Sequence, residues 1–189
     1  MRGITSTVRF FCLLSLLTVS PRTAGAWVLH ESLAAADASF LGENADDFAG
    51  AAVSGAGDVD GDGLDDLLVA APNNDLNGAY SGQVYLVFGQ IRTWSMDIDL
   101  ANAGASYVGE VAADYAGTSV SGGGDVNGDG FDDIVIGAPY NDQNGAYAGK
   151  VYVVFGKPTG WGMAIDLANA DASFVGEVAG DQAGISVAM

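Results

Sequence analysis

Short runs of apolar residues, each set between polar turns, recur along the chain. The runs at 67–71 and 134–138 are rich in β-branched and small residues, and those at 84–88 and 151–155 combine aliphatic and aromatic residues. Runs of this length, bounded by glycine, proline and asparagine, are typical of buried β-strands and are too short for globular helices. The pattern therefore predicts an all-β chain.

The pattern is a sequence repeat. Residues 37–103 align with residues 104–170 without a gap, and residues 171–189 begin a third copy. The 67-residue spacing relates Pro72 to Pro139, as it does most of the other positions. A gap-free period of this length indicates one supersecondary unit that is copied along the chain.

Each unit offers four candidate strands. In the first unit they fall at 50–55, 67–71, 84–88 and 105–109, with turn residues between them. Four short antiparallel strands are typical of a β-propeller blade. The predicted fold is therefore an incomplete β-propeller of about two blades and part of a third.

An acidic, glycine-rich loop, at 58–66 and again at 125–133, precedes the second strand of each unit. Oxygen-bearing side chains fall at loop positions 1, 3, 5 and 9, with glycine at positions 4 and 6. Calcium takes about six to eight oxygen ligands around one point, and glycine lets the backbone turn sharply enough to bring them together. The pattern therefore predicts two calcium sites.

The predicted ligands follow from these loop positions. In the first loop they are the side chains of Asp58, Asp60, Asp62 and Asp66, with the Leu64 carbonyl at position 7. In the second loop they are the side chains of Asp125, Asn127, Asp129 and Asp133, with the Phe131 carbonyl. Position 8 is Asp65 or Asp132, and these side chains are expected to point outward or to support the ligands from behind.

Other interpretations of the loops were weighed. An EF-hand or a dockerin-like module needs an acidic residue at position 12 and a helix, but position 12 is Val69 or Ile136, inside a predicted strand. A solvated turn without metal is the simpler alternative. Two copies with the same spacing, each leading into a strand, favour the cation site.

The first 26 residues have the features of a secretory signal peptide. Arg2 and Arg9 flank its start, a short apolar segment follows, and the small residues 24–26 form a cleavage site before Trp27. The single cysteine, Cys12, lies within this segment, so the mature chain is expected to have no disulfide. The predicted location is therefore extracellular, either secreted or at the cell surface.

The charge distribution restricts the partners. Beyond residue 26 the chain has 24 acidic residues and three cations, Arg92, Lys150 and Lys157, a net charge of −21. This field repels nucleic acid and anionic membranes. The sequence also has no apolar run long enough to span a bilayer.

The residues around the loops resemble a known family. Phe48-Ala49-Gly50 and Tyr115-Ala116-Gly117, each followed by an acidic loop and then by an Ala-Pro pair, are similar to the FG-GAP repeats of the integrin α-subunit β-propeller. The first repeat departs from the pattern with Ala-Ala-Pro at 70–72 in place of Gly-Ala-Pro. The resemblance implies calcium in the loops, at the outer edge of each blade and away from the face that meets partners.

Catalytic motifs are absent from the sequence. His30 is the only histidine and has no nucleophile in a recognisable arrangement with it, and no phosphate-binding loop or nucleophile elbow is present. Trp94 and Trp161 recur at the repeat period and are expected to take part in blade packing, and Asp99 and Asp166 are expected to cap turns. The chain is therefore expected not to be an enzyme.

Two functions fit these features. The favoured one is a secreted calcium-binding module that mediates adhesion or extracellular ligand recognition. The alternative is an accessory propeller of a larger exported hydrolase, since FG-GAP repeats also accompany the catalytic domain of a phospholipase D. A third acidic loop would begin just beyond Met189, so the chain is expected to need further blades or to self-associate.

Overall fold

The computed structural model describes residues 36–189. The predicted signal peptide and His30 lie outside these residues. Two short 3-10 helices, Leu100–Asn102 and Leu167–Asn169, are present among the strands. The strands are β1 (Phe40–Leu41), β2 (Ala52–Gly57), β3 (Asp66–Ala71), β4 (Gln83–Val87), β5 (Ile98–Asp99), β6 (Ala105–Val108), β7 (Ser119–Gly124), β8 (Asp133–Ala138), β9 (Lys150–Val154), β10 (Ile165–Asp166) and β11 (Ala172–Val175).

The chain forms the antiparallel four-stranded sheets that the sequence predicts, each with three strands from one repeat and the fourth from the start of the next copy. The first blade has the strand order β2-β3-β4-β6, and the second has the order β7-β8-β9-β11. In the first blade Leu68 lies opposite Leu86, and in the second Ile136 lies opposite Tyr152. The all-β fold with propeller-type blades is thus confirmed.

The connection to the fourth strand of each blade also bonds to its neighbour. Strand β10 pairs in parallel with β6 of the first blade, and β5 pairs in the same way with β1. A 3-10 helix follows each of these short strands, and the carboxylates of Asp99 and Asp166 accept hydrogen bonds from Ala101 N and Ala168 N at its start. The expected capping role of both aspartates is confirmed.

The two blades pack through their first strands. Strand β2 lies against β7 so closely that a Cβ at Gly122 would stand 2.8 Å from the Ala56 Cα. The apolar residues between the blades form one buried cluster, which includes Ala56, Val59 and Ile136. Because the strands carry small residues at this contact, their backbones approach without a gap.

The two recurring tryptophans pack as expected from the sequence. Trp161 meets Phe88 edge-on with ring centroids 5.7 Å apart, and Trp94 meets Phe40 at 6.0 Å. Each tryptophan rests against a buried apolar cluster.

Between residues 36 and 189 the structure contains no helix with the length and apolar character needed to cross a membrane.

Candidate metal centre

The first acidic loop joins β2 to β3, beside the neighbouring blade. Gly61 and Gly63 adopt φ values of +77° and +89°, which a side chain would disfavour. Because β2 is the strand that packs against β7, the loop stands next to the second blade. It does not lie at the outer edge of the blade, where the resemblance had placed it.

Three of the predicted ligands converge in this loop. Asp58, Asp60 and Asp66 each offer a carboxylate oxygen, and these oxygens lie within 4.8 Å of one another. Asp66 is buried, and its two oxygens accept hydrogen bonds from Val59 N at 3.0 Å and from Gly89 N at 2.7 Å. These bonds fix the Asp66 carboxylate beside the other two.

One buried oxygen of the cluster lacks a protein partner. Asp58 Oδ2 accepts a hydrogen bond from Gly63 N at 2.9 Å, whereas Asp58 Oδ1 is buried and has no hydrogen-bond partner among the described residues. A buried carboxylate oxygen without a partner is costly unless a proton or a cation satisfies it. The donor set is therefore suited to a hard cation.

The pKa values in the cluster reflect crowded and partly desolvated acids. Burial raises the pKa of Asp66 to about 6, against the opposing hydrogen bonds from Gly89 and Val59. Burial also raises the pKa of Asp60, and the nearby carboxylates of Asp62 and Asp58 add to the effect. Without a cation, a proton is thus the alternative that relieves the charge.

The fourth predicted side-chain ligand of the first loop is not part of this cluster. Asp62 is exposed and outside the group of three, and its Oδ1 accepts a hydrogen bond from Leu64 N at 2.8 Å. The roles of Asp62 and of the Leu64 carbonyl as ligands remain predictions.

In the second loop the aspartate at position 9 is held by the same kind of hydrogen bonds as in the first, but the carboxylates do not converge. Asp133 accepts hydrogen bonds from Val126 N and Gly156 N, both at 2.8 Å, as Asp66 does from their counterparts Val59 N and Gly89 N in the first repeat. Asn127 Nδ2 donates to Asp129 Oδ2 at 2.8 Å, so this amide occupies an oxygen that a cation would need. No group of three acids converges in the second loop as the structure describes it.

Asp125 explains much of this difference. Its carboxylate is turned onto its own loop, where Oδ1 accepts from Gly128 N at 2.7 Å and from Asp129 N at 3.1 Å, and Oδ2 accepts from Gly130 N at 2.9 Å. These bonds lower its pKa, with that from Gly130 as the largest cause. The ligand roles of Asp125, Asn127, Asp129, Asp133 and the Phe131 carbonyl remain predictions.

Position 8 differs between the two loops in a way that the sequence did not reveal. Asp65 is exposed, whereas Asp132 crosses to the first loop and accepts a hydrogen bond from Asp58 N at 2.9 Å. The identical residue type at both positions gave no signal of this difference, because the contact depends on how the two blades pack.

A row of tyrosines lies at the other end of the strands. The rings of Tyr80 and Tyr115 stack with centroids 5.4 Å apart, and Tyr140 contacts both Tyr115 and Tyr147 edge-on at 5.2 and 5.6 Å. Three of these tyrosines have positive φ, between +52° and +57°, which is unusual for a bulky residue. The row, defined as these four residues, is partly exposed and spans both blades.

The comparisons with known proteins identify repeats in the same two parts of the chain. The FG-GAP repeat family matches residues 49–87 and 116–154, which contain the first three strands of each blade and both acidic loops. Integrin alpha-PS2 of Drosophila melanogaster is 38% identical over 108 residues, which is 54% of this chain and 7% of that protein. Integrin alpha-5 of Xenopus laevis is 35% identical over 127 residues, 65% of this chain and 11% of that protein.

Integrin alpha-6 of Gallus gallus is 34% identical over 104 residues, which cover 54% of this chain and 9% of that protein. The chain thus spans about a tenth of the length of these relatives. The chain contains two FG-GAP repeats and is similar over part of its length to integrin alpha subunits.

Proposed function

We propose that the protein is a secreted, calcium-stabilised FG-GAP module that mediates adhesion or recognition of an extracellular ligand as a non-catalytic scaffold. The observation that carries the proposal is the cluster of Asp58, Asp60 and Asp66 in the first loop, with the unpartnered oxygen of Asp58. Oxygen-only donors of this charge suit calcium. Magnesium is a poorer fit, because it demands a tighter octahedron and retains its waters.

The bound cation would stabilise the folded chain. When bound, calcium supplies a positive charge that offsets the repulsion between the carboxylates. Asp66 would hold it at the start of β3, and Asp58 and Asp60 would hold it from the loop. The second loop is proposed as a weaker site, since it offers three carboxylates and one amide where the first loop offers four carboxylates.

The tyrosine row is the proposed ligand surface. It lies at the opposite end of the strands from the acidic loops, because the 72–82 loop joins β3 to β4 and the acidic loop joins β2 to β3. Exposed tyrosine faces attract lysine and arginine side chains, and the chain is strongly acidic. The proposed partner is therefore an extracellular protein that presents basic residues.

A second surface is proposed to take a further blade, either from the same protein or from another copy. Phe174 on β11 is 64% exposed, whereas its repeat counterparts Phe40 and Tyr107 are 7% and 2% exposed. In the first two copies a following segment covers the ring. An apolar side chain in this position is typical of a contact that another element completes.

The binding proposal is tested with a fluorescent arginine-rich peptide as the probe. We expect the peptide to bind in millimolar calcium, and both Tyr80→Ala and Tyr147→Ala to weaken the binding. Phe174→Ala is the matched control, because it removes an exposed aromatic ring outside the tyrosine row. Equal weakening by all three variants, or no binding, would exclude the row as the ligand surface.

A further inference from the structure

Residues of the second blade form hydrogen bonds with the first two residues of the first acidic loop, Asp58 and Val59. Asp132 Oδ2 accepts from Asp58 N at 2.9 Å, and Asp132 N donates to the Asp58 carbonyl at 3.2 Å. Lys157 N donates to the Val59 carbonyl at 2.9 Å. Both backbone polar groups of Asp58 are therefore satisfied by one residue of the neighbouring blade.

The first loop and the second blade are also closely packed at these hydrogen bonds. Gly57 adopts a φ of +72°, and a Cβ at this position would overlap the Asp132 carboxylate. A Cβ at Gly156 would likewise press on the Val59 carbonyl, at 3.0 Å, and on the backbone of Asp132. The close approach of the two backbones thus depends on glycine on both sides.

The second loop serves as an internal comparison. The side chain of Val59 is fully buried between the blades, whereas that of its counterpart Val126 is 57% exposed. Asp58 leaves one oxygen free for the cluster, but Asp125 accepts three backbone hydrogen bonds from its own loop. The loop that is hydrogen-bonded to a second blade is therefore the loop in which three carboxylates converge.

We propose that Asp132 is a positioning residue for the cation site of the first loop. By holding the Asp58 backbone, it aims the Asp58 carboxylate at Asp60 and Asp66 and keeps Oδ1 from accepting backbone hydrogen bonds of its own loop, as Asp125 Oδ1 does. This inference rests on the proposed calcium site. Because coupling between two equilibria is reciprocal, calcium in the first loop strengthens the docking of the second blade.

Asp65 provides a matched control within the chain. It has the same loop position as Asp132 and lies in the first loop itself. Its side chain is exposed, and no hydrogen bond of that side chain is found in the described part of the chain. Substituting either residue with alanine removes one negative charge. A purely electrostatic account predicts that Asp65→Ala has at least as large an effect as Asp132→Ala, because Asp65 belongs to the site's own loop.

The experiment is a calcium titration of the full chain by calorimetry, with Asp132→Ala, Asp132→Asn and Asp65→Ala. We expect Asp132→Ala to weaken the tighter site roughly tenfold or more, as is typical when a partner that orients a ligand is removed. Asp132→Asn keeps an acceptor oxygen for Asp58 N and should restore most of the affinity. Circular dichroism in calcium-free buffer establishes that each variant is folded.

A double-mutant cycle places the effect at Asp58. In an Asp58→Ala background, Asp132→Ala and Asp132→Asn should give the same residual calcium affinity. Equal weakening by Asp132→Ala and Asp65→Ala, or no rescue by Asp132→Asn, would overturn the positioning role and leave the calcium site intact. A folded wild-type chain that binds no calcium would instead overturn the proposed function, and the positioning role with it.

Discussion

The two acidic loops differ at one side-chain ligand position, with Asp60 in the first loop and Asn127 in the second. In the structure, the Asn127 amide donates to an oxygen of Asp129, whereas Asp60 contributes an oxygen to the three-carboxylate cluster. A change from acid to amide thus removes one charge and also adds a donor that competes with the cation. The contrast leads to a reciprocal test.

Exchanging these residues should shift the calcium affinities of the two loops in opposite directions. We expect Asn127→Asp to tighten calcium binding at the second loop and Asp60→Asn to weaken it at the first, each by roughly tenfold, or about 1.4 kcal/mol. Calorimetry on both single variants provides the measurement. The double variant, which restores the total charge, is the control, and unchanged affinities in the single variants would show that position 3 is not a ligand.

The raised pKa of Asp66 predicts a pH dependence of stability. Its pKa is about 6 in the folded chain and 3.8 without the fold, so the folded state holds the proton more tightly. In calcium-free buffer the stabilisation is therefore complete below about pH 4 and is lost as the pH rises through 6. The urea midpoint of the wild type should fall across this range relative to that of Asp66→Asn.

Calcium should reverse this trend, because the cation takes the place of the proton. Calcium affinity should then decrease as the pH is lowered below 6. Parallel urea midpoints for the wild type and Asp66→Asn between pH 4 and 7 would contradict the assignment of the proton to Asp66.

At the scale of the elements, the β2–β3 and β7–β8 hairpins have nearly the same sequence but different surroundings. Each carries a valine at loop position 2, but only that of the first hairpin is covered by a neighbouring blade. The burial of this side chain is thus decided by blade packing and not by local sequence. Identical residues in the two hairpins should therefore make unequal contributions to stability.

Val59→Ala should cost about 2 kcal/mol, from two buried methyl groups and the cavity that they leave. Val126→Ala should change the unfolding free energy by less than about 0.5 kcal/mol, because that side chain is already exposed. Urea unfolding of both variants measures the difference. Similar costs at the two positions would mean that the blades do not pack in solution as they do here.

The elements that could be predicted from the sequence are those set by local pattern. The four strands of each blade follow from apolar runs and turn residues, and Asp99 and Asp166 cap their turns as the recurring sequence suggested. The parallel pairing of β10 with β6 could not be predicted, because two-residue strands leave no periodicity and their partners lie in another unit.

Over the whole molecule, the repeated sequence does not produce two equivalent sites. The period and the loop spacing predicted the ligand types, but the structure gathers acids from the first loop alone in the part of the chain that it describes. The difference arises between blades, where Asp132 holds Asp58 and no described segment holds Asp125 in the same way. Contacts of this kind follow from the stacking of units and not from any one of them.

We propose that the acidic charge of the chain makes the fold depend on cations. The full chain carries a formal charge of −18 at pH 7, and nine of its acids lie in the two loops. Bound calcium would offset part of this repulsion at the contact between the blades. We therefore expect calcium binding and the stability of the blade pair to change together.

The most direct test of the calcium claim is a calorimetric titration of the folded wild-type chain with calcium chloride at pH 7.4. The account predicts saturable binding with a Kd of about 10⁻⁴–10⁻³ M, as is typical of extracellular modules, and loss of the tighter component in Asp58→Ala. A folded chain that gives no heat of binding up to about 10 mM calcium, ten times the upper end of that range, would contradict it. The acidic loops would then be solvated turns without a metal.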